Sequence, residues 1–369
     1  MNRIKAKSLV LEDGSTYGGF QFGGSEFAYG EVVFNTSMTG YQEILTDPSY
    51  AGQIVVSTYP IIGNYGVNDK DFESDKIQVS GFVVREYCDF PSHNDSNNDI
   101  DGFLRSQNIG GLAGIDTRAL TKKIRTSGVM MGAIVDTGEV EQIKKRFNKL
   151  PKYDDVDYVS KVTTDSQYDF ITKPPSEIIK DCTIVVDDYG VKRNILRILE
   201  SRGCRVVVVP AMSSAEEVLN LKPDGIVISP GPGDPELLKH LVVKTKKLMG
   251  KLPILGICLG NQVLGCAMGG KTFKLPFGHR GGNHPVKDLV SGKVSITAQN
   301  HGYALDADSL PSNVEVTHIN LNDGTVEGIR HNELPIMGIQ FHSEASPGPL
   351  DNEYLFDRFL DLIKNVQVL

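Results

Sequence analysis

From residue 181 onward, short apolar runs alternate with amphipathic segments. TIVVDD (183–188), CRVVVVP (204–210), GIVIS (225–229) and PILGIC (253–258) are apolar almost throughout and rich in β-branched residues, as strands buried on both faces are. Between them VKRNILRILESRG, residues 214–221, a segment ending near Gly250, and LGNQVLGCAM carry helical spacing. Ser214 and Glu217 stand at capping-box spacing, and Gly269-Gly270 stops the last of these helices. Strands of this kind separated by helices predict a doubly wound, mostly parallel α/β sheet with helices on both faces. The pattern then changes: GKVSITAQN, VEVTHINL, TVEGIRH and PIMGIQFH are strand-like with no helix between them. A final helix over 354–363 places Phe356, Phe359, Leu360 and Ile363 on one stripe.

The first 150 residues follow a different pattern. LVLEDGSTYGGFQF sets an Asp13-Gly14 turn between two alternating segments, a strong hairpin signal. Strand-like runs follow at 28–34 and 53–58, and 116–126 has helical spacing. Residues 91–102, PSHNDSNNDIDG, are nearly all turn formers and predict an exposed, mobile loop. Residues 150–176 hold Pro151, Pro174 and Pro175 with no sustained period and predict a linker. The expected organisation is a β-rich α+β domain over 1–150, a linker over 151–180 and an α/β domain over 181–369. The length of 369 residues agrees with two cores.

Charge and cysteine content narrow the function. With 38 Lys plus Arg against 46 Asp plus Glu, the net charge of −8 argues against nucleic acid and anionic membrane surfaces as partners. No apolar run approaches membrane-spanning length, and the N-terminus MNRIKAKSLVLEDGS has neither a signal core nor a transit pattern, so a cytoplasmic protein is expected. Five cysteines form an odd set without CxxC spacing, which suits a reducing compartment and offers no thiolate zinc site. Cys88, Cys182, Cys204 and Cys266 are expected to be inert.

Cys258 is different. It lies in GICLGNQ, a G-x-C-x-G pattern at the junction of an apolar strand and a helix, the geometry of a nucleophile elbow. A helix N-terminus there favours thiolate and a developing oxyanion; the plainer alternative is a buried cysteine at a tight turn. His342 ends the strand PIMGIQF, and Glu344 follows two residues later, so an extended chain would point both side chains to one side and give a Cys-His-Glu triad. The loop SPGPGDP (229–235) brings bare backbone N–H groups toward a ligand but lacks the Lys-Ser/Thr of a phosphate loop, so no nucleotide chemistry is expected in this chain. His279 and His284 in FGHRGGNHP have no acidic companion in the sequence and are assigned to a structural loop, with no metal. Asp187 and Asp188 are expected to be solvated or bound to the following turn.

GICLGNQ, SPGPGDP and FHSEASPGP together resemble the class I, triad-type glutamine amidotransferases. VVFNTSMTGYQEILTDPSYAGQIVVSTYPIIGNYG, GIDTRAL, GVKRNILR, FGHRGGNHPVKD and TAQNHGYALD extend the resemblance nearly end to end, to the small, glutamine-hydrolysing subunits of carbamoyl phosphate synthetase. The resemblance implies that Cys258 attacks the side-chain amide of L-glutamine, that His342 is general base and acid, and that Glu344 supports it. It implies an oxyanion hole from the N–H groups of Gly231 and Leu259, and substrate contacts from Ser37, Gly231, Gly233, Leu259, Gln262, Asn300, Gly302 and Tyr303. It also implies a large synthetase subunit as partner, in a heterodimer or a larger assembly, which holds the ATP and metal ions; no cofactor is expected in this chain. The polar stretch 91–102 matches no family motif, and Asn261 stands where relatives often carry histidine. The rival readings are an amidotransferase serving another synthetase, a stand-alone γ-glutamyl hydrolase, and a silent regulatory scaffold.

Overall fold

The computed structural model describes residues 5–25, 27–172 and 182–367. The chain divides into two compact units, Met1–Val156 and Asp157–Leu369.

In the first unit, β1 (Ala6–Leu11) and β2 (Thr16–Gly23) form the expected hairpin, with Gly14 at φ 87 in its turn. There follow β3 (Ala28–Asn35), α1 (Tyr41–Thr46), β4 (Gln53–Ser57), β5 (Ile61–Ile62), β6 (Gly81–Val83) and β7 (Glu86–Tyr87). The unit continues with α2 (Ile100–Ser106), β8 (Gly110–Ala113), α3 (Thr117–Ser127), β9 (Met130–Asp136) and α4 (Val140–Lys144). Seven strands close a barrel in the order β1-β2-β8-β6-β4-β3-β9, which leaves no free edge to pair with another chain. The helix read at 116–126 is α3: the Asp116 carboxylate accepts from the Ala119 N–H at 2.9 Å, and Leu120 and Ile124 are fully buried.

The stretch 91–102 departs from the expected loop. Ile100 is fully buried and opens α2, and the Asp99 side chain caps that helix by accepting from the Gly102 N–H at 2.6 Å. The polar part is tied down as well, by Asn97 to Asp69 at 2.9 Å and Lys70 to Asp95 at 3.0 Å. Asn and Asp are turn formers but also helix caps, and one isoleucine among them was enough to anchor the segment.

The second unit begins with α5 (Val159–Val162) and β10 (Tyr168–Phe170), so much of the stretch read as a linker is built into the domain. A three-residue strand is too short to show a period, and β10 is defined by its antiparallel pairing along Val206–Val208. Pro174, Pro175 and Ser176 lie outside the described residues. There follow β11 (Thr183–Asp188), α6 (Arg193–Ser201), β12 (Arg205–Pro210), α7 (Ala215–Asn220), β13 (Gly225–Ile228) and α8 (Lys239–Leu248). The unit is completed by β14 (Ile254–Ile257), α9 (Leu259–Ala267), β15 (Thr272–Asp288), β16 (Val294–Leu305), β17 (Val314–Asn320), β18 (Val326–His331), β19 (Ile336–Ile339) and α10 (Tyr354–Gln367).

The ten strands run β10-β12-β11-β13-β14-β19-β18-β17-β15-β16, with β12, β11, β13, β14 and β19 mutually parallel. Alternation along the parallel strands explains their continuous apolar sequence. On β11, Ile184 and Val186 pack with Leu199 of α6 and with Phe356 and Phe359 of α10, whereas Val185 packs on the other face with Val218, Leu241 and Val263. Both faces are dry, so no position is left for a polar residue. The Ser214–Glu217 capping box is present, with the Ser214 N–H donating to Glu217 at 2.7 Å and the Glu217 N–H to Ser214 at 3.2 Å.

One element differs sharply from expectation. FGHRGGNHP is not a loop but the middle of β15, paired antiparallel with β16 through register shifts after Lys274 and after Gly281. Its glycines sit at these irregularities, Gly278 at φ 70, so residues that signal a turn in sequence here bend a strand.

Candidate active site

Cys258 stands between β14 and α9 with φ 53 and ψ −107, a conformation a non-glycine residue adopts only under strain. Its N–H donates to the Ile339 carbonyl at 2.8 Å, so the end of β19 fixes the elbow. The flanking glycines are required by crowding rather than by φ. A Cβ at Gly256 would lie 2.7 Å from the Gly260 carbonyl oxygen, and one at Gly260 would lie 2.1 Å from that of Ile228. Strand, elbow and helix therefore touch backbone to backbone.

His342 arrives from the chain after β19, its N–H bonded to the Ala298 carbonyl at 2.9 Å. Its Nδ1 is 2.6 Å from Glu344 Oε1, and both side chains are buried. The contact is made through a turn, closed by the Ala345 N–H on the His342 carbonyl at 3.1 Å, and not by an extended strand. The Cys258 sulfur is an electrostatic and hydrogen-bonding neighbour of the imidazole, although Nε2 has no partner of strict hydrogen-bond geometry. Ring and sulfur thus face each other with the contact still open, as is common before substrate arrives.

Burial pushes the pKa of His342 down, but the Glu344 carboxylate and the Cys258 sulfur outweigh it and raise the proton affinity of the ring above the usual histidine range, which suits it to take a proton from the thiol. Burial pushes Glu344 up, and Lys192 and His342 hold it well below the usual carboxylate range. Lys192, buried just before α6, is 3.2 Å from Glu344 and donates to the Ala345 carbonyl; Asn194 donates to the Glu344 carbonyl at 2.6 Å. The imidazole is therefore held by a carboxylate that is itself held by a buried cation.

Around the sulfur, the Cys258 thiol donates to the Asn300 carbonyl of β16 at 3.6 Å, and Gln340 Nε2 donates to the sulfur at 3.7 Å. Gln262, one turn into α9, donates to the Tyr303 carbonyl at 2.8 Å. Leu259 is the first residue of α9, and Gly231 lies against it: a Cβ at Gly231 would be 2.9 Å from Leu259 Cδ2 and 2.2 Å from the Tyr189 carbonyl oxygen. Gly233, at φ 97, is in the same loop, and Gly302 is on β16 between Asn300 and Tyr303. The second unit thus gathers every site residue named from the sequence except Ser37. That residue belongs to the first unit, on the loop after β3, where its N–H donates to Asn35 at 2.7 Å.

Lys192, Asn194, Gln340 and Asn261 were not read from the sequence as chemistry. No local pattern marks them, since the groups they meet lie far along the chain.

Two expectations are overturned. Asp187 is not solvated: it is fully buried and paired with Lys244 of α8 at 2.7 Å, beneath the Tyr189 backbone that backs Gly231. Asp188 does bind the following turn, accepting from Gly190 at 2.9 Å and Val191 at 2.7 Å. Nor is His279 without acidic companions: its Nε2 is 2.8 Å from Asp323 and its Nδ1 3.5 Å from Glu327. His279, His301 and Glu327 have metal-ligating residue types within reach of one another. The His301 nitrogens, however, already face the Tyr303 carbonyl at 2.8 Å and Gln299 Oε1 at 2.9 Å, in a hydrogen-bonded layer beside the Asn300 strand.

Comparison with known proteins identifies both units. Residues 9–134 match the family model for the carbamoyl-phosphate synthase small chain, CPSase domain, and residues 184–362 match that for glutamine amidotransferase class-I. The carbamoyl phosphate synthase small chain of Clostridium perfringens is 50% identical over 97% of this chain and 99% of its own length. The chain belongs to the carbamoyl phosphate synthase small chain family. That of Aquifex aeolicus is also 50% identical, over 97% of this chain and 99% of its own. The pyrimidine-specific small chain of Bacillus subtilis is 49% identical over 98% and 97%. Membership in this family makes the α/β unit a class I glutamine amidotransferase domain, preceded by the family's β-rich domain. Among the described residues, no helix is long and apolar enough to cross a membrane.

Proposed function

We propose that the chain is the glutaminase subunit of a carbamoyl phosphate synthase and cleaves L-glutamine through Cys258, His342 and Glu344. His342 accepts the thiol proton, and the thiolate adds to the side-chain amide carbon. The oxyanion so formed is held by the N–H groups of Gly231 and Leu259. As the tetrahedral adduct collapses, His342 returns the proton to the departing nitrogen, which leaves as ammonia and a glutamyl thioester on Cys258. Water activated by the same imidazole then releases glutamate. Gly231, Gly233, Leu259, Gln262, Asn300, Gly302 and Tyr303 hold the glutamine.

The observation that carries this reading is the strained Cys258 elbow facing a buried His342 whose other nitrogen is 2.6 Å from Glu344. Ammonia released into water would be protonated and lost as a nucleophile, so it passes to a large synthetase subunit. That subunit combines it with bicarbonate, using ATP and metal ions held there, to make carbamoyl phosphate for pyrimidine or arginine synthesis. The complex is cytoplasmic. Family membership supports the partner, and the absence of a phosphate-loop motif from the sequence supports ATP chemistry elsewhere. The test is glutamate release by the co-purified complex. Cys258→Ala is expected to abolish it and to abolish labelling by a glutamine-like chloroketone; a variant that still hydrolyses glutamine refutes the assignment.

A further inference from the structure

Gln340, the residue after β19, is fully buried and uses its backbone N–H on the Glu327 carbonyl at 2.9 Å. Its side chain bridges α9 and the sulfur: Oε1 is 3.2 Å from both Asn261 Nδ2 and Gln262 Nε2, and Nε2 is 3.7 Å from Cys258 Sγ. The hydrogen-bond network fixes which end of this amide is nitrogen. The Tyr303 carbonyl can only accept, so its 2.8 Å partner on Gln262 is the NH2 group. That NH2 group also meets Gln340, which therefore turns its oxygen to α9 and its own NH2 group to the sulfur.

A further close polar contact of the sulfur is the Asn300 carbonyl, at 3.6 Å. It suits a thiol, which donates to it, but opposes a thiolate, for which it is a second negative end. Once the thiol proton has passed to His342, the Gln340 N–H is a second side-chain donor aimed at the sulfur charge, beside the imidazolium. We propose that Gln340 is a catalytic residue that stabilises the Cys258 thiolate, both before attack and again when sulfur leaves the thioester. Gln340 keeps its own protons throughout: the mobile proton moves between Sγ and His342, and the S–C bond forms and breaks without net change at Gln340. Gly338 belongs to the same device, since a Cβ there would lie 2.3 Å from Asn261 Oδ1 and displace the α9 end of the bridge.

This assignment rests on Cys258 being the nucleophile, and the experiment separates the two. In the complex with the synthetase subunit, Q340L and the length-preserving Q340M are compared with wild type and C258A. Glutamate-release kinetics are measured, and the iodoacetamide alkylation rate of the Cys258 peptide is followed by mass spectrometry from pH 5 to 10. A lost hydrogen bond to a charged group predicts about a tenfold fall in kcat and in alkylation at pH 7, with alkylation displaced to higher pH and KM changed less than about twofold. Misfolding alone would lower the active fraction without displacing the pH profile, and thermal melts of both variants report it. Wild-type kcat and an undisplaced profile in both variants, with C258A inactive, overturn the role of Gln340 alone. Glutamine hydrolysis surviving in C258A overturns the nucleophile assignment instead.

Discussion

Gly260→Ala tests whether the elbow depends on backbone contact. The added methyl would lie 2.1 Å from the Ile228 carbonyl oxygen, 2.7 Å from its carbon and 3.0 Å from the Ser229 oxygen. All three are backbone atoms at the end of β13, with no side chain free to swing away. Reaching an ordinary 3.4 Å contact requires the start of α9 and the end of β13 to separate by about 1.3 Å. Cys258 and Leu259 lie on one side of that seam and Gly231 on the other, so the proposed nucleophile and the two proposed oxyanion donors lose register together. Misplacement of about 1 Å costs on the order of 10²-fold in rate, and overpacking of this kind about 1–3 kcal/mol in stability. Glutamate release by the complex and urea denaturation of the chain measure the two effects. Gly138→Ala is the control: no atom lies within 4 Å of its Cβ position, and its change in stability should stay within about 0.5 kcal/mol. If Gly260→Ala keeps wild-type kcat and stability, backbone crowding is not what reserves position 260 for glycine.

Glu344→Gln removes the carboxylate from His342 and Lys192; kcat for glutamine should fall about 10²–10⁴-fold, and a fall of less than threefold would count against an orienting role. Asp187→Asn strands the buried Lys244 cation and should cost about 3–5 kcal/mol in urea denaturation, most of it recovered by Asp187→Leu combined with Lys244→Met; a loss under about 1 kcal/mol would refute it. Burial holds His301 and His318 below the ordinary histidine range, His318 at about 4, so as pH falls below 6.5 the unfolded chain takes up these protons before the native one. Their contribution to stability is complete above 6.5 and is lost toward about 4, at up to about 1.4 kcal/mol per pH unit for each. His318→Gln should flatten the decline of urea midpoints between pH 6.5 and 4.5, and a variant with the wild-type slope would remove His318 from the account.

What residues do within a few positions of themselves was legible in the chain: the Asp13-Gly14 hairpin, the Ser214–Glu217 capping box, the apolar parallel strands, and the Cys258 elbow between its glycines. Each depends on φ preference, capping or periodicity, which act over a turn or a strand. Short or irregular pieces were not legible, because three residues of β10 show no period and the glycines of β15 signal turns equally well. Side-chain pairing was decided only by the tertiary structure. Lys192 reaches the Glu344–Ala345 turn across 153 positions, and Asp187 finds Lys244 57 positions away, because strand order brings β11 beside the helices and turns that follow other strands. The direction in which the Gln340 amide faces was likewise set by a carbonyl on β16 acting through a helix residue. Sequence specified the Cys258 elbow and its glycines; the charge and hydrogen bonds that surround it come from segments that meet only when the sheet is assembled, since buried polar groups must find partners wherever the fold supplies them.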